Sequence, residues 1–128
     1  MTTSAIRFLL VLPQLPQDPA SGAARSMRTT CEFLARAGFE VRVTATTASE
    51  KTGKIDPLLF LRELGNDPEV LSGRTKARVR PEYRFEERGV HYRLLDTGPR
   101  DMHAWQKIHG AQFDGMFDDE LHGFRPDI

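Results

Sequence analysis

The chain has one cysteine, Cys31, among 128 residues. A single thiol closes no internal disulfide and leaves no cysteine framework for a metal, which fits a reducing compartment. Net charge is absent: 18 Lys and Arg balance 18 Asp and Glu. Without a basic surplus the chain lacks the electrostatic footprint of a general nucleic-acid binder. Long apolar runs are absent too. The longest, Ile6 to Leu12, is broken by Arg7 and falls far short of the ~20 residues that span a bilayer. The Met-Thr-Thr-Ser before it carries neither the charged start nor the small-residue cleavage site of a secretory signal. The chain is therefore expected to be cytoplasmic, with no transmembrane segment and no nucleic acid as partner. There are no internal repeats. The length is that of one domain, 1–128, able to bury a core without staples.

The glycine-rich signatures of nucleotide binding are also missing. A dinucleotide fold places Gly-x-Gly-x-x-Gly directly after its first strand, and a phosphate loop of the Walker type needs Gly-Lys-Ser or Gly-Lys-Thr. Here Gly22 stands alone, well beyond Leu12, and no Gly-Lys pair precedes a hydroxyl residue. The phrase "VTATTASE" offers no acid at the tip of a second strand to hold a ribose.

What is present is a βαβ start. Ile6 to Leu12 suits a strand buried on both faces. Pro13, Pro16 and Pro19 interrupt regular structure. Ser21 is placed to cap a helix. Ala24, Met27, Cys31 and Leu34 form its apolar stripe. Gly38 occupies the left-handed stop position, and Phe39 to Thr46 alternates as a second strand. Asp56, Pro57 and Gly65 punctuate a short second helix. The polar stretch 66–82 reads as a loop. Tyr83 to Phe85 and Val90 to Leu95 read as two strands around a turn ending at Gly89. Asp101 is placed to cap a last helix carrying Trp105, Ile108, Phe113, Phe117, Leu121 and Phe124. Gly110 and Gly115 weaken it by up to ~1 kcal/mol each. The final Pro126-Asp127-Ile128 reads as entry to another strand, as in a fragment of a longer protein.

Candidate chemistry is sparse. The amides of Gly22, Ala23 and Ala24 open a helix at the carboxyl edge of the first strand, where open α/β sheets bind ligands and small side chains allow close approach. A glycine that merely completes a turn fits the spacing as well. His103 and His109 do not share a helix face, and no His-x-x-x-His or Glu-x-x-His pair exists, so His91, His103, His109 and His122 read as ordinary histidines. Asp118, Asp119 and Glu120 splay around a helix and read as a solvated face. Arg74, Lys76, Arg78 and Arg80 alternate as a solvated basic run, with an anion grip as the alternative. Cys31 reads as core.

The ordered phrases "LARAGFEVRV", "FEERGVHYRLL" and "FRPDI" resemble the N-terminal, acceptor-side domain of retaining, nucleotide-sugar-dependent GT-B glycosyltransferases. The likeness covers most of the chain but leaves Ser49 to Arg80 unmatched. It implies a Rossmann-like domain with a mostly parallel sheet flanked by helices, half of a two-domain fold. The implied substrate-binding residues are Ser21, Gly22 and Ala23, where the family's Gly-Gly loop faces a diphosphate; here one glycine remains. Gly38-Phe39-Glu40-Val41 and Pro126-Asp127-Ile128 match structural phrases. The resemblance implies no catalytic residue in this chain, no metal and no cofactor. The partners are a nucleotide-sugar donor, held mainly by a second domain, and an acceptor. This chain alone is expected to be inactive. An exposed apolar face where that domain docks offers a homodimer surface. The alternative is a free-standing flavodoxin-like ligand-binding or regulatory domain.

Overall fold

The computed structural model describes residues 5–49, 56–71, 80–97 and 104–128, with side chains from 110 onward in the last stretch. The elements run β1 (Arg7–Leu12), α1 (Gly22–Arg36), β2 (Glu40–Thr46), α2 (Pro57–Glu63), β3 (Glu69–Leu71), β4 (Glu82–Glu87), β5 (Val90–Leu95) and α3 (Ala104–Gly123). The chain is thus α/β, an open five-stranded sheet of order β1-β2-β5-β4-β3 flanked by helices. The sheet is mixed, which corrects the expectation of a mostly parallel one. β2 is parallel to β1 and β5, whereas β4 is antiparallel to β5 and β3. The reason is the hairpin at 88–89. Arg88 and Gly89 both take positive φ, at 51° and 80°, and a two-residue turn of that kind joins antiparallel strands. Gly89 is further required because a Cβ there would stand 3.3 Å from Ala35 Cβ.

The caps form as their sequence signals predict. Ser21 Oγ accepts from Ala24 N at 3.1 Å, and Asp56 Oδ1 accepts from Leu58 N at 3.0 Å. α1 ends with Gly38 N donating to Ala35 O and Phe39 N donating to Leu34 O, both 3.1 Å. That paired pattern needs a left-handed residue between, and Gly38 has φ +101°. α2 closes the same way through Gly65 and Asn66.

One sheet face carries Val41, Val43 and Ala45 of β2 level with Val90, Tyr92 and Leu94 of β5. Tyr83 and Phe85 of β4 stand level with Leu94 and Tyr92. Cys31 of α1 and Leu61 of α2 bury against this face, with Leu34 and Phe60 partly buried beside them. Two stripe assignments need correction. Met27 is 43% exposed, and the inward positions of α1 are Ala24 and Cys31. On α3, Leu121 is 41% exposed, while Phe113, Met116, Glu120 and Phe124 face inward. The stretch 66–82 is not all loop, since β3 pairs there as a three-residue edge strand. Asp101 and the basic-run residues Arg74, Lys76 and Arg78 lie outside the described residues.

The other sheet face is ionic where α3 crosses it. Glu120, expected in solvent, is buried between Arg42 Nη1 at 3.1 Å and Arg93 Nη1 at 3.4 Å. Arg93 also meets Glu82 at 2.9 Å and Asp119 at 3.1 Å. Phe124 lies under the Arg42 guanidinium, 4.7 Å from it to the ring centroid. Gln112 clamps the backbone of Arg80 from α3, donating to its O at 2.8 Å and accepting from its N at 3.0 Å. Arg80 in turn holds Asp96 at 3.0 Å, and Asp96 accepts from Tyr83 Oη at 2.6 Å.

Two stability outcomes follow from these contacts. Gly38→Ala meets no neighbour but forces an L-residue into left-handed backbone. It should cost about 1–2 kcal/mol in urea unfolding with an unchanged m-value. Glu120→Ala removes the carboxylate shared by Arg42 and Arg93, while Arg93 keeps Glu82 and Asp119. It should cost about 2 kcal/mol by the same measurement.

Candidate functional site at the carboxyl ends of the parallel strands

The Pro-containing loop between β1 and α1 is packed. Gln14, Leu15, Gln17 and Asp18 are all buried. Leu15 N donates to Ala48 O at 2.7 Å, tying the loop to the segment just past β2. Asp18 closes the last turn before the helix: its Oδ1 accepts from Ala20 N at 2.9 Å, and its backbone O accepts from Ser21 N at 3.4 Å. Ser21 then caps α1 from a buried position.

A 15-residue helix rises about 22 Å, and seven-residue β2 spans about 23 Å. α1 ends where β2 begins, so its start returns to the level of the strand's carboxyl end. The three residues singled out by sequence meet there in different states. Ser21 commits its hydroxyl to the cap. Gly22 and Ala23 are exposed, and as the first two helical residues their amides precede any intrahelical acceptor. A Cβ at Gly22 would meet nothing within 4 Å, so no protein atom demands glycine there. No acid stands in the first turn of α1 to neutralise the positive end of its dipole. Arg25 adds a cation at the same mouth, its Nη2 donating to Pro19 O at 3.0 Å; the Asp18 carboxylate is the opposing charge.

Sequence reasoning missed a cluster of hydroxyls beside this mouth. Thr46 Oγ1 accepts from Ala48 N at 3.2 Å, and Thr47 Oγ1 accepts from Thr97 N at 3.1 Å. Thr47 N donates to Leu95 O at 3.0 Å, extending the β2–β5 pairing past the strand ends. The run Thr44, Thr46, Thr47 is the signal of this cluster in the sequence.

The last three residues sit on the outer edge of β1. Ile128 N donates to Arg7 O at 3.1 Å and its O accepts from Leu9 N at 3.0 Å. One residue bonding to two that flank its neighbour is the parallel pattern. Asp127 reinforces it, its Oδ2 accepting from Arg7 N at 2.9 Å. Segment 126–128 therefore lies beside β1 on the side away from β2. The connections from β1 to β2, and from β5 through α3 to this segment, consequently run to opposite sides of β1.

Among the described residues no group of three or more His, Cys, Asp and Glu is arranged to hold a metal. None of the helices there is long and apolar enough to cross a membrane. Cys31 is buried in the core, and burial, then the Glu32 carboxylate, push its thiol up to about 11. No family model matches this chain, and no curated protein or solved structure does either.

Alkaline pH tests this burial. Burial, then the Asp96 hydrogen bond, raises Tyr83; burial, then Glu87, raises Tyr92. These groups and Cys31 keep their protons in the folded chain where the unfolded chain loses them. The thiol's contribution is intact below its ordinary 9.0 and lost as pH rises through about 11, and that of the two tyrosines is lost progressively from their ordinary 10.0 upward. The melting temperature should fall over that interval. Cys31 should resist iodoacetamide at about pH 8 and react once urea unfolds the chain.

Proposed function

We propose that this chain is the acceptor-side N-terminal domain of a glycosyltransferase of Rossmann-like architecture. The whole enzyme transfers a sugar from a nucleoside-diphosphate donor to an acceptor, and works in the cytoplasm. The observation that carries the reading is the seating of Ile128 on β1 in parallel register. With it, connections leave both sides of β1 in opposite directions, and open α/β sheets bind ligands in the crevice such a reversal opens at the strands' carboxyl ends. The start of α1 stands at that crevice. The ordered phrases of the sequence support the same reading independently.

In this reading Gly22 and Ala23 present amides to the diphosphate, and Ser21 fixes their direction through its cap. Charge develops on the diphosphate as the sugar–oxygen bond breaks. Amides already aimed at it and the nearby Arg25 stabilise that charge without reorganising. A second lobe holds the nucleotide and closes the cleft, so the 128-residue chain alone turns over no donor.

Gly22→Pro separates the amide from the fold. Position 22 is the first helical residue, where proline is tolerated, and Ser21 already has the extended backbone, φ −99° and ψ 115°, that proline requires before it. The variant should melt like the parent. UDP titrated into the ¹⁵N-labelled parent should shift the amides of Gly22 and Ala23, and the proline variant should bind about fivefold more weakly. Shifts confined to another part of the chain, or sugar transfer by this chain alone, would contradict the proposal.

A further inference from the structure

On the face crossed by α3, the middle of the sheet carries a row of cations. Arg42 of β2 stands level with His91 of β5. Arg93, two residues further along β5, stands level with Arg84 of β4, which is itself level with Glu69 of β3. With Glu120 of α3, these residues line a recess of about 320 Å³. That volume falls within the ~300–1,000 Å³ of small-molecule sites.

The acids around the recess are mostly committed. Arg93 is ringed by Glu82, Asp119 and Glu120, and Arg42 holds the second oxygen of Glu120. Glu86 faces His91 at 3.9 Å. Arg84 differs from the other two arginines. Among the described residues it makes no hydrogen bond and no ion pair, and neither does Glu69 beside it on the edge strand. Arg84 is exposed and stands directly opposite Arg93, an arrangement that like charges disfavour. Arg42 uses Nη1 on Glu120, and its side chain is still 45% exposed.

The free donors define what fits. A guanidinium only donates, and its fork matches two oxygens of a carboxylate or phosphate. β2 and β4 flank β5, so Arg42 and Arg84 rise from backbones about 10 Å apart across the sheet, with His91 on the strand between them. A cation would find only Glu69 uncommitted, at the outer edge. A neutral molecule would leave the Arg84 charge unbalanced. We propose that this recess binds the oxyanion group of a small molecule, a phosphate ester or a carboxylate, between Arg84 and Arg42. Arg84 grips two of its oxygens, Arg42 donates through the guanidinium nitrogens that Glu120 does not use, and a His91 ring nitrogen adds a third contact. The recess lies on the sheet face away from α1, whose Cys31 packs on the other face. It is therefore separate from the crevice at the start of α1.

The test is a titration of the intact ¹⁵N-labelled chain with methyl phosphate and with acetate, each against sodium chloride at matched ionic strength. Saturable shifts of the Nε–H signals of Arg84 and Arg42 are expected with at least one of them, and the tighter of the two identifies the head group. Arg84→Gln should weaken that binding about tenfold. It should melt no lower than the parent, because it removes one of two like charges. Arg84→Lys keeps the charge without the fork and should weaken binding about threefold. Gly22→Pro alters only the crevice and should leave this affinity as it is, so failure of this site and failure of the transfer reading give different results. Three results would overturn the proposal: no saturable shift at Arg84 beyond that produced by chloride; unchanged affinity in both Arg84 variants; or loss of the response in Gly22→Pro, which would move the anion to the start of α1.

Discussion

Parallel pairing of β2 on both of its edges is the constraint from which the rest of the structure follows. A strand with parallel neighbours on each side cannot be reached by tight turns, because each connection must return the chain to the strand's starting end. From β1 to β2 that return is α1. From β2 to β5 it takes in α2, β3 and β4. Every carboxyl end of the parallel strands therefore faces the same way, and the loop at 13–21, the threonine cluster and the start of α1 gather there. The amino ends face the other way and collect the β4–β5 turn, the ends of both helices and a polar recess around Glu87. Two regions of different chemistry thus arise from one pairing choice.

The mixed sheet explains how charge is distributed. A parallel sheet needs cover on both faces, whereas antiparallel strands tolerate one face in water. On the face crossed by α3, β1 contributes Leu9 and Val11, while β5 and β4 contribute His91, Arg93 and Arg84. α3 meets this gradient with Phe113 and Met116 against Leu95 and Ala48, and with Glu120 against Arg42 and Arg93. The helix is thus held by a small apolar contact and a sheltered ion network. Such a network is strongly destabilised by loss of one partner even where its net contribution is modest.

Much of the local structure was legible because it depends on neighbours in sequence. Ser21, Asp56, Gly38 and Gly65 act within one turn of their own position, so their roles read directly from the chain. Helix faces were less legible. Met27 and Leu121 satisfy helical spacing yet stand exposed, and Glu120 is turned inward, because the partner surface decides which part of a stripe is covered. A charged side chain such as Glu120 looks solvated until two arginines from different strands are seen around it. β3 escaped notice since three residues leave no periodicity to detect, and its partner lies beyond a stretch of polar sequence. Of the candidate site, the start of α1 was legible from Ser21 and Gly22. The threonine bonds and the seating of Ile128 were not.

The sequence by itself determined where α1 and α2 begin and stop, where the hairpin turns, and that a βαβ unit opens the chain. Those features follow from backbone sterics and from hydrogen bonds between residues a few positions apart. Only the tertiary structure decided that half of the sheet is antiparallel, that Glu120 lies between Arg42 and Arg93, and that Gln17 and Asn66 both bond Glu87. These outcomes depend on residues far apart in the chain, whose interaction exists only once the strands have chosen their neighbours and register.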